Sequence, residues 1–291
     1  MQTILISGLS GSGKSVALKA LEDTGFYCID NLPAKFIPSL ATFLRDSGED
    51  RVAINIDVRA SGDTLSDLPK AIADLTQEGI DIRVLFFEAN TENLVKRFSE
   101  TRRPHPLMND GLTLPEAIAL EHEKLADISE IAHRIDTSDI SPNTLRAWIK
   151  DLIQLDQSRL TLYFQSFGFK HGIPHDADLV FDARFIPNPY YDPRLRPFTG
   201  KDQPVIDFLD AQPETKILLD DIYAFIHKWL PRFVRDNRSS LTIAIGCTGG
   251  QHRSVYLVQK LAARFKLEQQ VLVRHRNLWQ QQAINTNSPA A

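Results

Sequence analysis

The sequence predicts an α/β protein with two domains: a parallel sheet with helices on both faces in residues 1–153, and a second α/β domain in residues 154–291. First, short apolar runs alternate with helical stretches through the N-terminal half, which is the pattern of β-α-β units. Second, a glycine-rich turn joins the first apolar run to the first helical stretch. Third, a strand, a glycine turn and a helix follow one another again near residue 250. Turns of this kind bind anions, because backbone N–H groups converge at the start of the helix.

Composition is that of an ordinary globular protein, with 43% hydrophobic and 24% charged residues among 291. No apolar run approaches the roughly 18 residues of a membrane span, and the N-terminus lacks a signal-peptide pattern. We therefore expect a cytoplasmic protein without membrane contact. The two cysteines, Cys28 and Cys247, are too few for a disulfide framework or a zinc site.

The charge is distributed unevenly between the two predicted domains. Residues 1–153 carry 16 Lys and Arg against 24 Asp and Glu, a net charge of −8. Residues 154–291 carry 17 against 13, a net charge of +4. The positive balance favours a polyanion or a phosphorylated small molecule as partner of the second domain, although it is equally typical of a solvated surface.

The first glycine turn, GLSGSGKS, fits the Walker A or P-loop pattern G-x-x-x-x-G-K-[ST]. Its glycines allow the backbone N–H groups to turn inward around phosphate. Lys14 is expected to neutralise charge on the β- and γ-phosphates during catalysis, and Ser15 to ligate Mg²⁺. The residues predicted to bind the nucleotide are Gly8, Leu9, Ser10, Gly11, Ser12, Gly13, Lys14 and Ser15. The first domain is thus predicted to be a P-loop NTPase domain with a kinase-like layout.

Asp30 follows a short predicted strand, residues 27–29, at the edge of the sheet where the P-loop lies. Two roles are open for it: it could hold the Mg²⁺ shell or orient a phosphoryl acceptor. A purely structural role as a cap of the helix predicted over residues 33–45 is equally plausible.

Two further features of the first domain point to phosphoryl chemistry. The strand predicted over residues 82–87 ends at Glu88, a weak version of the Walker B acid. Three arginines, Arg97, Arg102 and Arg103, cluster towards the end of the next helix, where they would close over phosphates as a lid. Arg102 or Arg103 would stabilise transition-state charge. A solvated basic face is the alternative.

Strands are also predicted over residues 52–58 and 135–138. A capped helix is expected over residues 113–132 and a last one over residues 141–154.

The second domain is predicted to contain strands over residues 160–166 and 178–182, helices over residues 204–234, and the strand, turn and helix that end near residue 265. The turn is expected to bind the phosphate of a ligand through Cys247, Thr248, Gly249, Gly250, His252 and Arg253. It also fits the Cys-x5-Arg-Ser pattern of cysteine phosphatases. Gly246 stands where those enzymes carry histidine, so phosphate binding without nucleophilic attack is favoured.

Seven segments together resemble the RapZ/YvcJ family of bacterial nucleotide-binding proteins, and the resemblance covers nearly the whole chain. They are GLSGSGKSVAL, GFYCIDNLP, SETRRPHPL, QSFGFKHGIPHDAD, RFIPNP, DPRLRPFTG and AIGCTGGQHRSVY. The resemblance implies an N-terminal P-loop domain with ATPase and GTPase activity and a regulatory C-terminal domain particular to the family. It also implies, from some members, an RNase adapter that binds small RNA and links it to ribonuclease control of amino-sugar synthesis.

Carried over by position, the resemblance places ATP at residues 8–15 and GTP at Asp57, Val58, Arg59 and Ala60. It implies a phosphorylated metabolite, such as an amino-sugar phosphate, at residues 247–254, and a homo-oligomer. RNA-binding members carry a strongly basic tail, whereas here Arg274, Arg276 and Trp279 precede a neutral end. These residues keep RNA contact open, because phosphate contacts and base stacking dominate such binding.

The favoured function is a nucleotide-binding regulator that hydrolyses ATP and GTP slowly. Its C-terminal domain would recognise a phosphorylated metabolite, small RNA, or both. The alternative is a P-loop small-molecule kinase, in which Asp30 would orient the acceptor.

Overall fold

The computed structural model describes residues 1–56, 68–108, 111–154, 160–235 and 240–278. The chain divides into two compact units, Met1–Gln157 and Ser158–Ala291. The predicted boundary lies four residues earlier, at 153/154. Among the helices in the described ranges, none is long and apolar enough to cross a membrane.

A five-stranded parallel sheet forms the centre of the first unit, with strand order β2-β3-β1-β4-β5. Its strands are β1 (Gln2–Gly8), β2 (Tyr27–Ile29), β3 (Arg51–Asn55), β4 (Asp81–Glu88) and β5 (His133–Asp136). Its helices are α1 (Lys14–Glu22), α2 (Ile37–Asp46), α3 (Leu68–Gln77), α4 (Thr91–Thr101), α5 (Leu114–Lys124), α6 (Ala126–Ile131) and α7 (Pro142–Ile153). The central strand β1 is buried, as expected for a parallel sheet covered on both faces. The predicted α/β class is confirmed.

Several predicted boundaries in this unit differ from the structure. The strand β3 ends at Asn55, three residues before the predicted end. The helix predicted to reach residue 132 is two helices, α5 and α6, separated at Leu125. Asp30 does not cap a helix: Pro33 and Phe36 precede the 3₁₀ turn and α2, and neither position has a side-chain cap. The structural role weighed for Asp30 is therefore wrong.

A second parallel sheet, with strand order β7-β8-β6-β9, forms the second unit. Its strands are β6 (Thr161–Gly168), β7 (Leu179–Asp182), β8 (Ser240–Cys247) and β9 (Gln270–His275). Its helices are α8 (Gln203–Asp210), α9 (Pro213–Arg235) and α10 (Arg253–Phe265). Every residue of β6 is buried, because this strand lies between β8 and β9 under α10. The predicted strand, turn and helix thus lie at the centre of the unit.

The strand β9 occupies residues that the sequence places in a basic tail. Arg274 is 3% and Arg276 is 5% exposed. The guanidinium of Arg274 lies over the ring of Tyr163, 4.6 Å from its centroid. RNA contact through these two arginines, which the sequence leaves open, is therefore not supported, because a buried guanidinium offers no surface to a phosphate backbone. Trp279 lies outside the described residues.

Candidate nucleotide site and candidate phosphate site

The P-loop connects β1 to α1, as the sequence predicts. Gly8 ends β1 with a φ of 136°, and a Cβ there would overlap the carbonyl oxygen of Phe87 on β4. Gly13 has a left-handed conformation immediately before the first residue of α1, Lys14. The backbone can therefore curl so that its amides and the N-terminus of α1 meet at one point, which suits phosphate.

Lys14 is held inside the loop that it is predicted to serve. Its Nζ donates to the carbonyl oxygens of Gly8, at 2.5 Å, and Leu9, at 3.2 Å. The side chain is buried and also lines a cavity. These two contacts hold the ammonium group inside the loop.

A cavity of about 660 Å³ opens over the P-loop. Its lining includes the loop residues 10–15 and polar side chains from four other segments: Asp30, Asn31, Asn55, Arg97, Glu100, Thr101, Arg103, Thr137 and Ser141. A volume of this order fits a nucleotide-sized ligand. Of the predicted loop residues, Gly8 and Leu9 lie beneath this lining and support it through their carbonyl oxygens.

Two of the three predicted lid arginines, Arg102 and Arg103, differ in position. Arg103 lines the cavity, whereas Arg102 is absent from its lining and ends α4 in a left-handed conformation with a φ of 52°. Arg97, the third arginine of the predicted cluster, donates to the carbonyl oxygen of Gly11 at 3.1 Å and to that of Thr137 at 2.5 Å. Burial lowers the pKa of Arg97 from its ordinary value, and the carboxylate of Asp136 opposes that shift. Arg97 therefore places a guanidinium at the phosphate end of the cavity.

A buried carboxyl group, Glu121 on α5, holds the P-loop from below. It accepts hydrogen bonds from the Ser10 amide at 2.8 Å and the Ser10 hydroxyl at 2.7 Å. It also lies 3.1 Å from Nε2 of His105. Nδ1 of His105 accepts from the amide of Leu107, so Nε2 carries the proton and donates to Glu121. This connection joins the P-loop to the segment that follows the lid arginines, and no local sequence signal predicts it.

Asp30 and Asn55 line the cavity from the ends of neighbouring strands. Nδ2 of Asn55 donates to Oδ1 of Asp30 at 2.6 Å. Glu88, in contrast, is absent from the cavity lining and forms two hydrogen bonds with Arg134, both 3.0 Å long. The Walker B interpretation of Glu88 is therefore wrong, because its carboxylate is already paired outside the cavity.

The remaining predicted nucleotide residues, Asp57, Val58, Arg59 and Ala60, lie outside the described residues. Within the described ranges, no group of three or more His, Cys, Asp and Glu could hold a metal ion on its own. The Ser15 hydroxyl and the Asp30 carboxylate both line the cavity. Oxygen donors of this kind suit Mg²⁺, which usually keeps several waters and phosphate oxygens as ligands instead of an all-protein cage.

In the second unit, a cavity of about 380 Å³ lies over the turn between β8 and α10. Five predicted phosphate residues line it: Cys247, Thr248, Gly249, His252 and Arg253. Gly250 has a φ of 72°, and a Cβ there would overlap Oδ1 of Asn277. Oδ1 of Asn277 accepts from the amide of Gly168, which ties the end of β6 to the segment after β9. Lining residues that the sequence did not single out are Lys170, His171, Asn188, Tyr190, Gln251 and Asn277.

The guanidinium group of Arg253 is fixed in place in this second cavity. Arg253 donates to the carbonyl oxygens of Arg184 at 2.7 Å and Ile186 at 3.0 Å. Burial lowers the pKa values of both Arg253 and His252, so the imidazole of His252 is neutral at neutral pH. Sγ of Cys247 lies 3.2 Å from the hydroxyl of Ser254. The backbone of the turn, the positioned guanidinium of Arg253 and the side chain of Lys170 therefore line the same cavity. Such a combination suits an anionic ligand group.

Two family models match this chain. The RapZ-like N-terminal domain matches residues 1–157, and the RapZ C-terminal domain matches residues 160–279. A nucleotide-binding protein of Chromobacterium violaceum is 58% identical over 281 residues, covering 97% of this chain and 100% of that protein. A nucleotide-binding protein of Thiobacillus denitrificans is 59% identical over 278 residues, covering 96% and 100%.

Solved structures resemble the first half of the chain. Shikimate kinase from Bacteroides thetaiotaomicron has a TM-score of 0.34 and 12% identity, covering 53% of this chain and 98% of that one. Deoxyadenosine kinase from M. mycoides has a TM-score of 0.33 and 12% identity, covering 52% and 98%.

Proposed function

Because this chain belongs to the RapZ family and is a nucleotide-binding protein, we propose that the cavity of its first unit binds ATP with Mg²⁺ and hydrolyses it slowly. GTP would be a second substrate of the same chemistry. The observation that carries the proposal is the position of Lys14, whose ammonium group contacts the carbonyl oxygens of Gly8 and Leu9 inside the P-loop and whose side chain lines the cavity. Bound nucleotide would then regulate the C-terminal unit.

In this proposal the P-loop amides and Lys14 bind the β- and γ-phosphates, and Ser15 holds Mg²⁺. The metal would supply charge neutralisation between the phosphates. Arg97 and Arg103 stabilise charge on the terminal phosphate, with Arg97 positioned by the loop carbonyl that it contacts. Arg102, outside the lining, could join them only through movement of the segment after α4.

The substitution Lys14→Ala tests this proposal directly. It removes the ammonium group that faces phosphate, and binding of a fluorescent ATP analogue should weaken by at least about tenfold, or ~1.4 kcal/mol. Lys19→Ala is the matched control, because Lys19 is an exposed lysine on the same helix. Equal affinity of Lys14→Ala and Lys19→Ala would contradict the assignment.

For the second unit, we propose a phosphorylated small metabolite as ligand, with an amino-sugar phosphate as the first candidate. The support is the turn between β8 and α10, where Arg253 and Lys170 line one cavity with the backbone of Thr248 and Gly249. Glucosamine 6-phosphate binding measured by calorimetry should weaken in Lys170→Ala and stay unchanged in Lys216→Ala, which alters an exposed lysine of α9. Unchanged affinity in Lys170→Ala, or no heat of binding at all, would refute the ligand class.

Small RNA is the second candidate partner of the C-terminal unit, with a ribonuclease as the protein that would receive the regulated RNA. Its support is the exposed end of α9, where Lys228 and Arg232 lie 5.7 and 5.2 Å from the ring centroid of Trp229. Aromatic rings with adjacent cations stack on unpaired bases. Filter binding of total small RNA across a salt series should show salt-sensitive retention that Trp229→Ala reduces. Retention that is absent, or unaffected by salt and by this substitution, would exclude the RNA role.

A homo-oligomer is also proposed from the family resemblance. Light scattering after gel filtration gives the mass directly: a value near 32.9 kDa, that of one chain, would refute it.

A further inference from the structure

We propose that Asp30 and Asn55 form an acceptor subsite in the cavity of the first unit. The subsite takes the hydroxyl group of a small neutral polyol and directs it to the terminal phosphate of the bound nucleotide. This inference rests on the proposed nucleotide site. It adds a phosphotransferase activity to that site.

The strand register places the two side chains beside the P-loop. Ile29 of β2 pairs with Ile54 of β3, so Asp30 and Asn55 are the next residues at the carboxyl ends of these strands. Asn55 in turn pairs with Ile6 of β1, two residues before the P-loop begins. The amide of Leu32 donates to the carbonyl oxygen of Asn55 at 3.2 Å, which holds the turn after β2 against β3. Carboxyl ends of parallel strands are where open α/β sheets place their ligands.

The hydrogen bond between the two side chains determines what they present to the cavity. A carboxylate only accepts, so the group of Asn55 that lies 2.6 Å from Oδ1 of Asp30 is its NH₂ group. The other atom of the Asn55 amide is therefore the acceptor Oδ1. Asn55 is 5% exposed and lines the cavity, and among the described residues nothing donates a hydrogen bond to its Oδ1. A buried acceptor without a donor costs free energy unless a ligand or water supplies one.

The pair thus offers acceptors from adjacent strands: Oδ1 of Asn55 and the free oxygen of Asp30. Strands in a sheet lie roughly 4.8 Å apart, a separation that two hydroxyl groups of one small molecule can span. The cations of the cavity, Lys14, Arg97 and Arg103, come from the P-loop, α4 and the segment after it. The cavity therefore has cations for phosphate and acceptors for hydroxyl groups. An ammonium group could donate to the acceptors, but it has no lone pair with which to attack phosphorus.

The reaction that follows is balanced by the nucleotide itself. The hydroxyl proton passes to the carboxylate of Asp30, and the hydroxyl oxygen forms a bond to the γ-phosphorus. The bond between the γ-phosphorus and its bridging oxygen breaks, and the nucleoside diphosphate leaves with the electron pair. A positioned base of this kind contributes about 10²–10⁴-fold to such a step. Water in place of the polyol gives hydrolysis.

Glycerol is a suitable probe, because it is a small neutral polyol whose phosphate ester is resolved from inorganic phosphate by ³¹P NMR. Wild-type protein with ATP, Mg²⁺ and glycerol should form both products. Asp30→Asn should reduce the sum of both by about 100-fold or more. Asn55→Ala should lower the ratio of glycerol phosphate to inorganic phosphate. Asp46→Asn, an exposed carboxylate at the end of α2, is the matched control and should match wild type.

A fluorescent ATP analogue measures nucleotide affinity in the same four proteins and separates the two proposals. Absence of binding in wild type would overturn the nucleotide site and the acceptor subsite together. Intact binding with inorganic phosphate as the sole product at every glycerol concentration would overturn the acceptor subsite alone. A wild-type rate in Asp30→Asn would also overturn the acceptor subsite. So would a raised Mg²⁺ requirement with an unchanged product ratio, because that result would assign Asp30 to the metal.

Discussion

Removal of the Glu121 carboxyl group should destabilise the first unit and loosen its P-loop. In wild type this fully buried group accepts from the amide and hydroxyl of Ser10 and from Nε2 of His105. In Glu121→Ala the Ser10 hydroxyl can rotate to another acceptor, but the backbone amide and the imidazole N–H cannot. Each buried donor without an acceptor costs roughly 1–3 kcal/mol, so the loss in unfolding free energy is roughly 2–6 kcal/mol.

The substitution Glu121→Gln separates hydrogen bonding from charge. Its amide oxygen can accept from the Ser10 amide and from His105, while its NH₂ group donates to the Ser10 hydroxyl, which turns to accept. All three contacts survive, and only the additional strength of hydrogen bonds to a charged group is lost. We therefore expect a loss of about 1–2 kcal/mol for Glu121→Gln.

Urea unfolding of the first unit can be followed by its own tryptophan. The chain contains three tryptophans, at positions 148, 229 and 279, and Trp148 is buried in α7. With the other two replaced by phenylalanine, Trp148 fluorescence reports on this unit alone. Glu123→Ala, at an exposed position of the same helix, is the control and should change stability by no more than about 0.5 kcal/mol. Equal urea midpoints for Glu121→Ala and Glu123→Ala would refute the reasoning.

Three further predictions concern both units. Burial, with a smaller contribution from Lys201, lowers the pKa of His275 to about 3. Folding therefore favours the neutral imidazole. The free energy of unfolding falls as pH drops below about 6.5, the pKa of the imidazole in the unfolded chain, because the unfolded chain then binds a proton that the folded chain does not. Relative to His275→Gln, wild-type urea stability followed by Trp229 should fall by about 2 kcal/mol from pH 7 to pH 5, and parallel profiles would contradict this. Gly8→Ala should abolish binding of an ATP analogue, since its Cβ overlaps the carbonyl of Phe87; wild-type affinity would refute it. Gly250→Ala should abolish binding of glucosamine 6-phosphate, since its Cβ overlaps Oδ1 of Asn277, and should leave ATP-analogue binding unchanged. Loss of both would contradict the prediction by showing that the substitution affects the whole protein.

The features that sequence alone predicted are those with local causes. The P-loop, the first strands and the turn before α10 follow from glycine positions and apolar periodicity, and they lie where expected. The support of the P-loop could not be found this way, since Glu121 lies 111 residues from Ser10 in the chain. Arg274 and Arg276 show the opposite failure. Their charges suggest an exposed tail, but Arg274 belongs to the edge strand β9, Arg276 follows directly after it, and both side chains are buried.

Formal charge alone therefore does not identify the arginines that serve a ligand; the partners of each guanidinium and its place in a cavity must be considered together. Arg134, Arg184 and Arg194 pair with the carboxylates of Glu88, Asp182 and Asp192, which neutralise them. The hydrogen bonds of Arg97 and Arg253 go instead to carbonyl and hydroxyl oxygens. Neutral acceptors fix a guanidinium in position and leave its charge to attract an anion, whereas a paired carboxylate cancels that attraction. Arg51, Arg83 and Arg196 also donate to carbonyl oxygens, but they line neither cavity. Arg97 and Arg253 combine neutral partners with a place in a cavity lining, and we therefore expect phosphate in the two cavities that they line.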